Sequence, residues 1–256
     1  MKFQDRVGDT QCSLIITTAG ALAVYRGTTT LLATSASSIL AGAWQYIEVE
    51  VVIHDTTGSF KVRVNESEVI NVTNVDTKYT SIAGARAINI NGGGSAVNFY
   101  FDDLYILDGN GTANNSFLGD VRVDAILPSG AGTHTDFTPT GGANNWDNVN
   151  DAAADADTTY NASATVGATD TFAFSDLPAS TGAIYGLQTN LMARKDDAGT
   201  GAVKPIIRLS GTDYEGSEIS MSDSYKHAKL LRIKVHCSLP IIKFFFVYAL
   251  LLSKLL

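Results

Sequence analysis

The sequence predicts an all-β protein, and three observations predict it. Of its 256 residues, 45% are hydrophobic and only 17% charged, with 23 glycines punctuating the chain. Apolar and polar residues alternate with a period of two through most of the first 223 positions, the pattern of half-buried strands. Turn residues (Gly, Asn, Asp, Thr, Ser) recur between the alternating stretches, and there is little helix-favouring Glu/Lys/Leu patterning.

In the first hundred residues, Ser13–Thr17 and Leu22–Tyr25 read as short strands flanking a turn at 18–20. Trp44–Ile53 and Phe60–Val64 read as a hairpin closed by the four residues Asp55–Gly58. That closure pairs Ile53 with Phe60, Val51 with Val62 and Val49 with Val64, and sets Glu50 opposite Arg63. One face is then apolar and the other charged. Strands follow at Arg86–Ile90 and Val97–Leu107, separated by a turn at Asn91–Gly94. Residues 109–115 form a polar linker, which divides a first domain, 1–108, from a second, 116–223. The second alternating set comprises Val121–Leu127, Thr171–Phe174, Ala183–Arg194 and Val203–Leu209, with Pro205 restricting the last to an edge or bulge.

The tail differs. Residues 224–256 hold no Gly, Asp, Glu, Asn, Gln or Thr and carry six basic residues, against 12 basic and 26 acidic in residues 1–223. The expectation is that 224–256 is a frameshifted or unstructured end outside the folded domains. Its apolar run is interrupted by Lys243 and falls short of the ~20 residues of a spanning helix, so no membrane is implied unless the tail is a true anchor. The acidic body excludes a nucleic-acid partner, since no basic stripe is present to displace phosphate counterions. Cys12 and Cys237 lack metal-ligand spacing and identify no redox compartment. The N-terminus has no apolar run of a secretion signal.

Three groups of motifs carry a resemblance. Gly20–Gly27, Trp44–Glu50 and Gly58–Asn65, followed by Phe101–Asp108, resemble the laminin-G-like, concanavalin-A-like lectin sandwich, with its W-x-x-I-E strand and closing D-D-L strand. Phe117–Asp124, Trp146–Val149, Asp157–Tyr160 and Ala193–Gly199 are similar to segments that follow such a sandwich in structural proteins of tailed bacteriophages. The resemblance implies a truncated lectin-like sandwich lacking its N-terminal strands, then a second jelly-roll-like β-sandwich. It implies a virion surface protein of the tail or capsid, homo-oligomeric in the particle, whose partners are other virion proteins and host surface glycans. One departure is that Asn65 is followed by Glu66 where the family has Gly.

The chemistry of the residues frames the alternatives. Glycosidases on this sandwich alternate carboxylates along one strand. Glu48 and Glu50 alternate so, but Ile53 stands where a third acid belongs, and no nucleophile elbow, phosphate loop or metalloprotease motif is present. A glycan-degrading enzyme is therefore the alternative reading, and a bacterial surface adhesin a further one. For Ca²⁺, which takes several oxygen ligands on a loop, the candidates are Asp147, Asp151, Asp155 and Asp157, with Asp102 and Asp103 in the first domain; no cofactor is otherwise implied. For a sugar, which packs its C–H face on a ring while amides bind its hydroxyls, the candidate is Trp146 with Asn144 and Asn145.

Overall fold

The computed structural model describes residues 1–91, 97–107, 109, 114–177, 183–232, 248–249 and 251–254. The described chain is all-β, with antiparallel pairing throughout, and divides into two compact units, 1–123 with 245–256, and 124–244. The expected boundary at 109–115 thus falls inside the first unit. Of the expected turn at Asn91–Gly94, only Asn91 is among the described residues.

The core of the first unit is formed by its two larger sheets. Strands β1 (Lys2–Gln4), β2 (Thr10–Ile16), β3 (Ala21–Arg26) and β4 (Thr30–Ser38) precede β5 (Tyr46–Val52), β6 (Gly58–Val64) and β7 (Ser67–Val75); β8 (Ala87–Asn89) and β9 (Val97–Tyr100) follow. One sheet has the order β4-β3-β2-β1-β8, and the other contains β5-β6-β7. Alternate residues of each sheet point into a shared core of Phe3, Cys12, Leu14, Leu22, Val24, Ile39, Phe60, Val62 and Ile70. Phe3 and Phe60 meet edge to face across it, ring centroids 5.8 Å apart, a preferred aromatic geometry. Burial pushes the Cys12 thiol up to about 12, so it packs as a small apolar group.

The β5–β6 register corrects the sequence reading. Val49 pairs with Val62, Val51 with Phe60 and Glu50 with Lys61, while Glu48 stands opposite Arg63. The ladder is displaced by two residues, which changes every partner and keeps every face. The cause is a longer connection. The Thr77 hydroxyl donates to Val52 O (2.7 Å) and accepts from His54 N (3.0 Å), and His54 Nδ1 accepts from Thr56 N and Thr57 N, both at 3.0 Å. This holds 53–57 as a loop and starts β6 at Gly58, where a Cβ would lie 2.6 Å from Val75 O and 2.9 Å from His54 O.

The second unit pairs its strands two by two. β10 (Pro128–Thr135) pairs with β13 (Asp170–Phe174), β11 (Thr138–Thr140) with β12 (Tyr160–Ala162), and β14 (Leu187–Ala193) with β19 (Lys226–Arg232). β15 (Ala202–Val203) pairs with β18 (Ile219–Ser220), and β16 (Ile206–Leu209) with β17 (Thr212–Glu215). The break between β15 and β16 falls at Lys204-Pro205, as a proline lacking its N–H requires. The expected strand at Val121–Leu127 does not form. The tail also departs from expectation. Besides β19, it supplies β20 (Tyr248–Ala249) beside β5 and β21 (Leu251–Lys254) beside β9. Aromatic and aliphatic residues suit an open sheet edge, and polarity alone did not separate them from the fold.

The outer face of the first sheet is covered by residues 79–82, fastened by polar side chains on β2 and the turn before it. Gln11, fully buried, donates to Thr80 Oγ1 and Ile82 O (both 2.6 Å) and accepts from Tyr79 N at 2.8 Å. Asp5 accepts from the Thr80 hydroxyl (2.8 Å), Val7 N and Asp9 N (3.0 Å each). Burial would raise the Asp5 carboxyl, but the Thr80 hydroxyl and the amides of Val7 and Asp9 overcome it and hold it below the usual carboxylate range. A depressed folded pKa stabilises above the unfolded value of about 3.9 and is lost as pH falls through the folded one. Urea titrations at descending pH should therefore show stability falling below about pH 4, with a flatter profile for Asp5→Asn; equal slopes for the two proteins would refute this role.

Candidate functional site

The face of β5 that sequence reading assigned to solvent holds a second cluster of buried polar side chains in the first unit. Glu48 is 2% exposed. Its Oε1 accepts hydrogen bonds from the Tyr105 hydroxyl and from the amides of Leu118 and Gly119, both at 3.0 Å. A carboxylate removed from water is costly unless hydrogen-bonded, and three donors on one oxygen meet that requirement. The donors come from two arms, 101–107 and 114–123, that contain no strand. Further anchors fix the same arms. Glu66 Oε1 accepts from Asp120 N (3.3 Å), Asp103 Oδ1 from Val123 N (2.8 Å), and the Arg63 guanidinium lies 4.3 Å from the centre of the Phe117 ring. Gly119 takes φ +83°, and a Cβ there would lie 2.8 Å from Glu66 Oε1.

Beneath the arms, Glu48 Oε2 and Arg63 Nε are buried without a hydrogen bond, and the buried Tyr46 hydroxyl lies against the Tyr105 hydroxyl and the Val121 backbone. Glu48 and Arg63 are cross-strand neighbours, and Tyr46 precedes Glu48 by two positions on the same strand. Burial drives the Tyr46 and Tyr105 hydroxyls upward in pKa, so both are protonated at neutral pH. Glu50, the other acid of the alternating pair, forms an ion pair with Lys61 at 2.7 Å.

The loop that carries the expected sugar site is organised inward. Asn145 donates to Phe137 O (2.8 Å) and Asp170 Oδ2 (2.6 Å), and its carbonyl accepts from the Asn161 amide at 2.8 Å. Asn148, buried, donates to Thr140 O, Tyr160 O and Asn161 Oδ1 at 3.0–3.2 Å. The short 3₁₀ turn Asp147–Val149 begins just after Trp146. Trp146 is half-buried and Asn144 exposed. The side-chain amide of Asn145 is thereby committed to the loop itself, and Asn148, which sequence reading missed, is its central clasp.

The acids expected to gather around Ca²⁺ are separated in their tasks. Asp102 Oδ1 accepts from Asp103 N (2.9 Å), Asp147 Oδ1 from the Asn150 amide (3.3 Å), and Asp155 Oδ2 from the Thr159 hydroxyl (2.8 Å). Asp157 accepts from the Tyr225 hydroxyl (2.7 Å) and Arg194 Nη2 (2.9 Å), which hold its carboxyl below the usual range. Asp151 is exposed. Among the described residues no three His, Cys, Asp or Glu side chains are grouped as a metal site.

Fold and sites together define an all-β chain whose buried polar side chains fasten irregular segments onto strands. No family model, curated protein or solved structure matches it.

Removing the Glu48 carboxylate leaves three donors without their acceptor, whereas Glu50 makes only a half-exposed pair. Glu48→Ala should lower unfolding free energy by about 2–4 kcal/mol and Glu50→Ala by under about 1 kcal/mol. Chemical denaturation of both variants checks the order, and equal losses would mean that the arms do not depend on Glu48.

Proposed function

We propose that this chain is a non-enzymatic structural protein of a virion, exposed on the tail or capsid surface, that assembles with its own copies and other virion proteins and binds host glycans. On this reading the first unit is a laminin-G-like sandwich and the second a jelly-roll-like one. The observation that carries the proposal is the thin core of the second unit. Among the described residues of 124–244, Pro205 and Ile207 are the buried apolar side chains, while Leu127, Val166, Phe174, Leu177 and Ile184 are exposed. Isolated two-stranded sheets are marginal in water, and exposed apolar side chains with open strand edges are what neighbouring subunits cover. The commitment of Glu48 to three donors and of Glu50 to Lys61 favours a scaffold over a hydrolase.

Glycan binding at shallow sites is weak per copy and gains roughly 10²–10⁴ from multivalency, which a particle supplies. Light scattering on the full chain should give an oligomer, and that oligomer should retain oligosaccharides on an array without cleaving them. Repeating the array with Trp146→Ala, with and without Ca²⁺, tests the expected loop. A stable monomer that binds no glycan, or one that releases reducing ends, would overturn the proposal.

A further inference from the structure

Two strand edges of the first unit are completed by the tail. The sheet β5-β6-β7 ends at β5, whose outer side takes β20, with Tyr248 opposite Ile47 and Ala249 opposite Tyr46. Strand β9 pairs, among the described residues, with β21 alone, where Leu251 stands opposite Tyr100 and Lys254 opposite Val97. Bare, both edges would present unpaired N–H and C=O groups, a template for another strand. The tail ladders are short, with two and four residue pairs, where β6 and β7 share seven. Short ladders at a sheet edge open at low free energy, so the tail is the exchangeable part of this unit.

The ladders fix register and direction, but not the chain of origin. Strand β19 ends at Arg232 in the second unit, and β20 begins at Tyr248 in the first. Residues 233–247 join them and reach at most about 50 Å when fully extended. The same pairing therefore forms with a second copy once its local concentration exceeds the effective concentration that this connection provides. Charge favours the encounter. Residues 224–256 carry six basic residues and no acid, while residues 1–223 carry 12 basic and 26 acidic ones. Tails thus repel one another and are drawn to the body of another copy.

We infer that the outer edge of β5 and the side of β9 that β21 occupies form an interface between copies of this chain, filled by β20 and β21 of a neighbour. Each copy is donor and acceptor at once, so the exchange is reciprocal in a dimer or continues around a ring. The inference rests on the proposed assembly of the chain with its own copies and names the surface that makes it. Asn98, exposed on β9, stands opposite Ser253 on β21. Antiparallel partners have Cα atoms about 4.5–5.5 Å apart, within the range that a disulfide spans. Two full-length chains of distinguishable mass, one with Asn98→Cys and the other with Ser253→Cys, would be refolded together and oxidised. Both carry Cys237→Ser, and the remaining Cys12 is buried. The expected product on a non-reducing gel is a disulfide-linked pair of unequal chains, in excess over either like pair. A chain carrying both substitutions should form its disulfide mainly between copies. A disulfide that forms only within one copy, or no disulfide in either arrangement, overturns the exchange. Light scattering on the unsubstituted chain separates the two claims: an oligomer without the bond between copies spares the proposed function, and a monomer overturns both.

Discussion

The first unit depends on a carboxylate placed where water would ordinarily be. Glu48 sits at the middle of β5 on the face turned away from the core, yet it is buried, because Tyr105, Leu118 and Gly119 close over it and donate to it. This single acceptor ties together segments 57 to 71 positions apart in sequence. The apolar side of β5–β6 holds the two sheets together; the acidic side decides what covers the sheet. Gln11 does the same for the opposite sheet, where a neutral amide gathers Tyr79, Thr80 and Ile82. A neutral amide with its donors and acceptors matched is inexpensive to bury; a carboxylate with one oxygen unmatched leaves a demand unmet.

That logic explains what could be read in the sequence. Alternation revealed the β class, the strands around Ser13, Leu22 and Val62, and the face each side chain takes on β5 and β6. Register was not legible, because it turned on Thr77, a residue beyond the hairpin whose hydroxyl lengthens the connecting loop. Nor was the burial of Gln11, Ser13 and Glu48, since a polar residue on the outer face of a strand has the same pattern whether water or a loop lies over it. The stretch 101–107 reads as a continuation of β9 by composition, yet its partners are side chains and not a ladder. In the acidic loop of the second unit, neighbours along the chain take different partners. Its aspartates are close in sequence, but Asp155 faces Thr159 while Asp157 faces Arg194 and Tyr225, partners that spacing along the chain does not reveal.

The two units differ in how they achieve order. The first encloses a continuous apolar core between sheets. The second relies on amide clasps such as Asn145 and Asn148 and on ion pairs such as Arg208–Asp213 at 2.6 Å. Exposed ion pairs contribute little, with a median of about 0–1 kcal/mol. A unit stabilised chiefly by such contacts and by buried hydrogen bonds gains most from neighbours that cover its strands, consistent with a role in an assembly.

The central claim is that Glu48 and the covering arms form one cooperative contact. A double-mutant cycle on unfolding free energy, with Glu48→Gln, Tyr105→Phe and both together, measures it directly. Direct partners in a buried network should couple by about 1 kcal/mol or more. Losses that simply add, within about 0.3–0.5 kcal/mol, would contradict the contact and with it the account of what holds the arms in place.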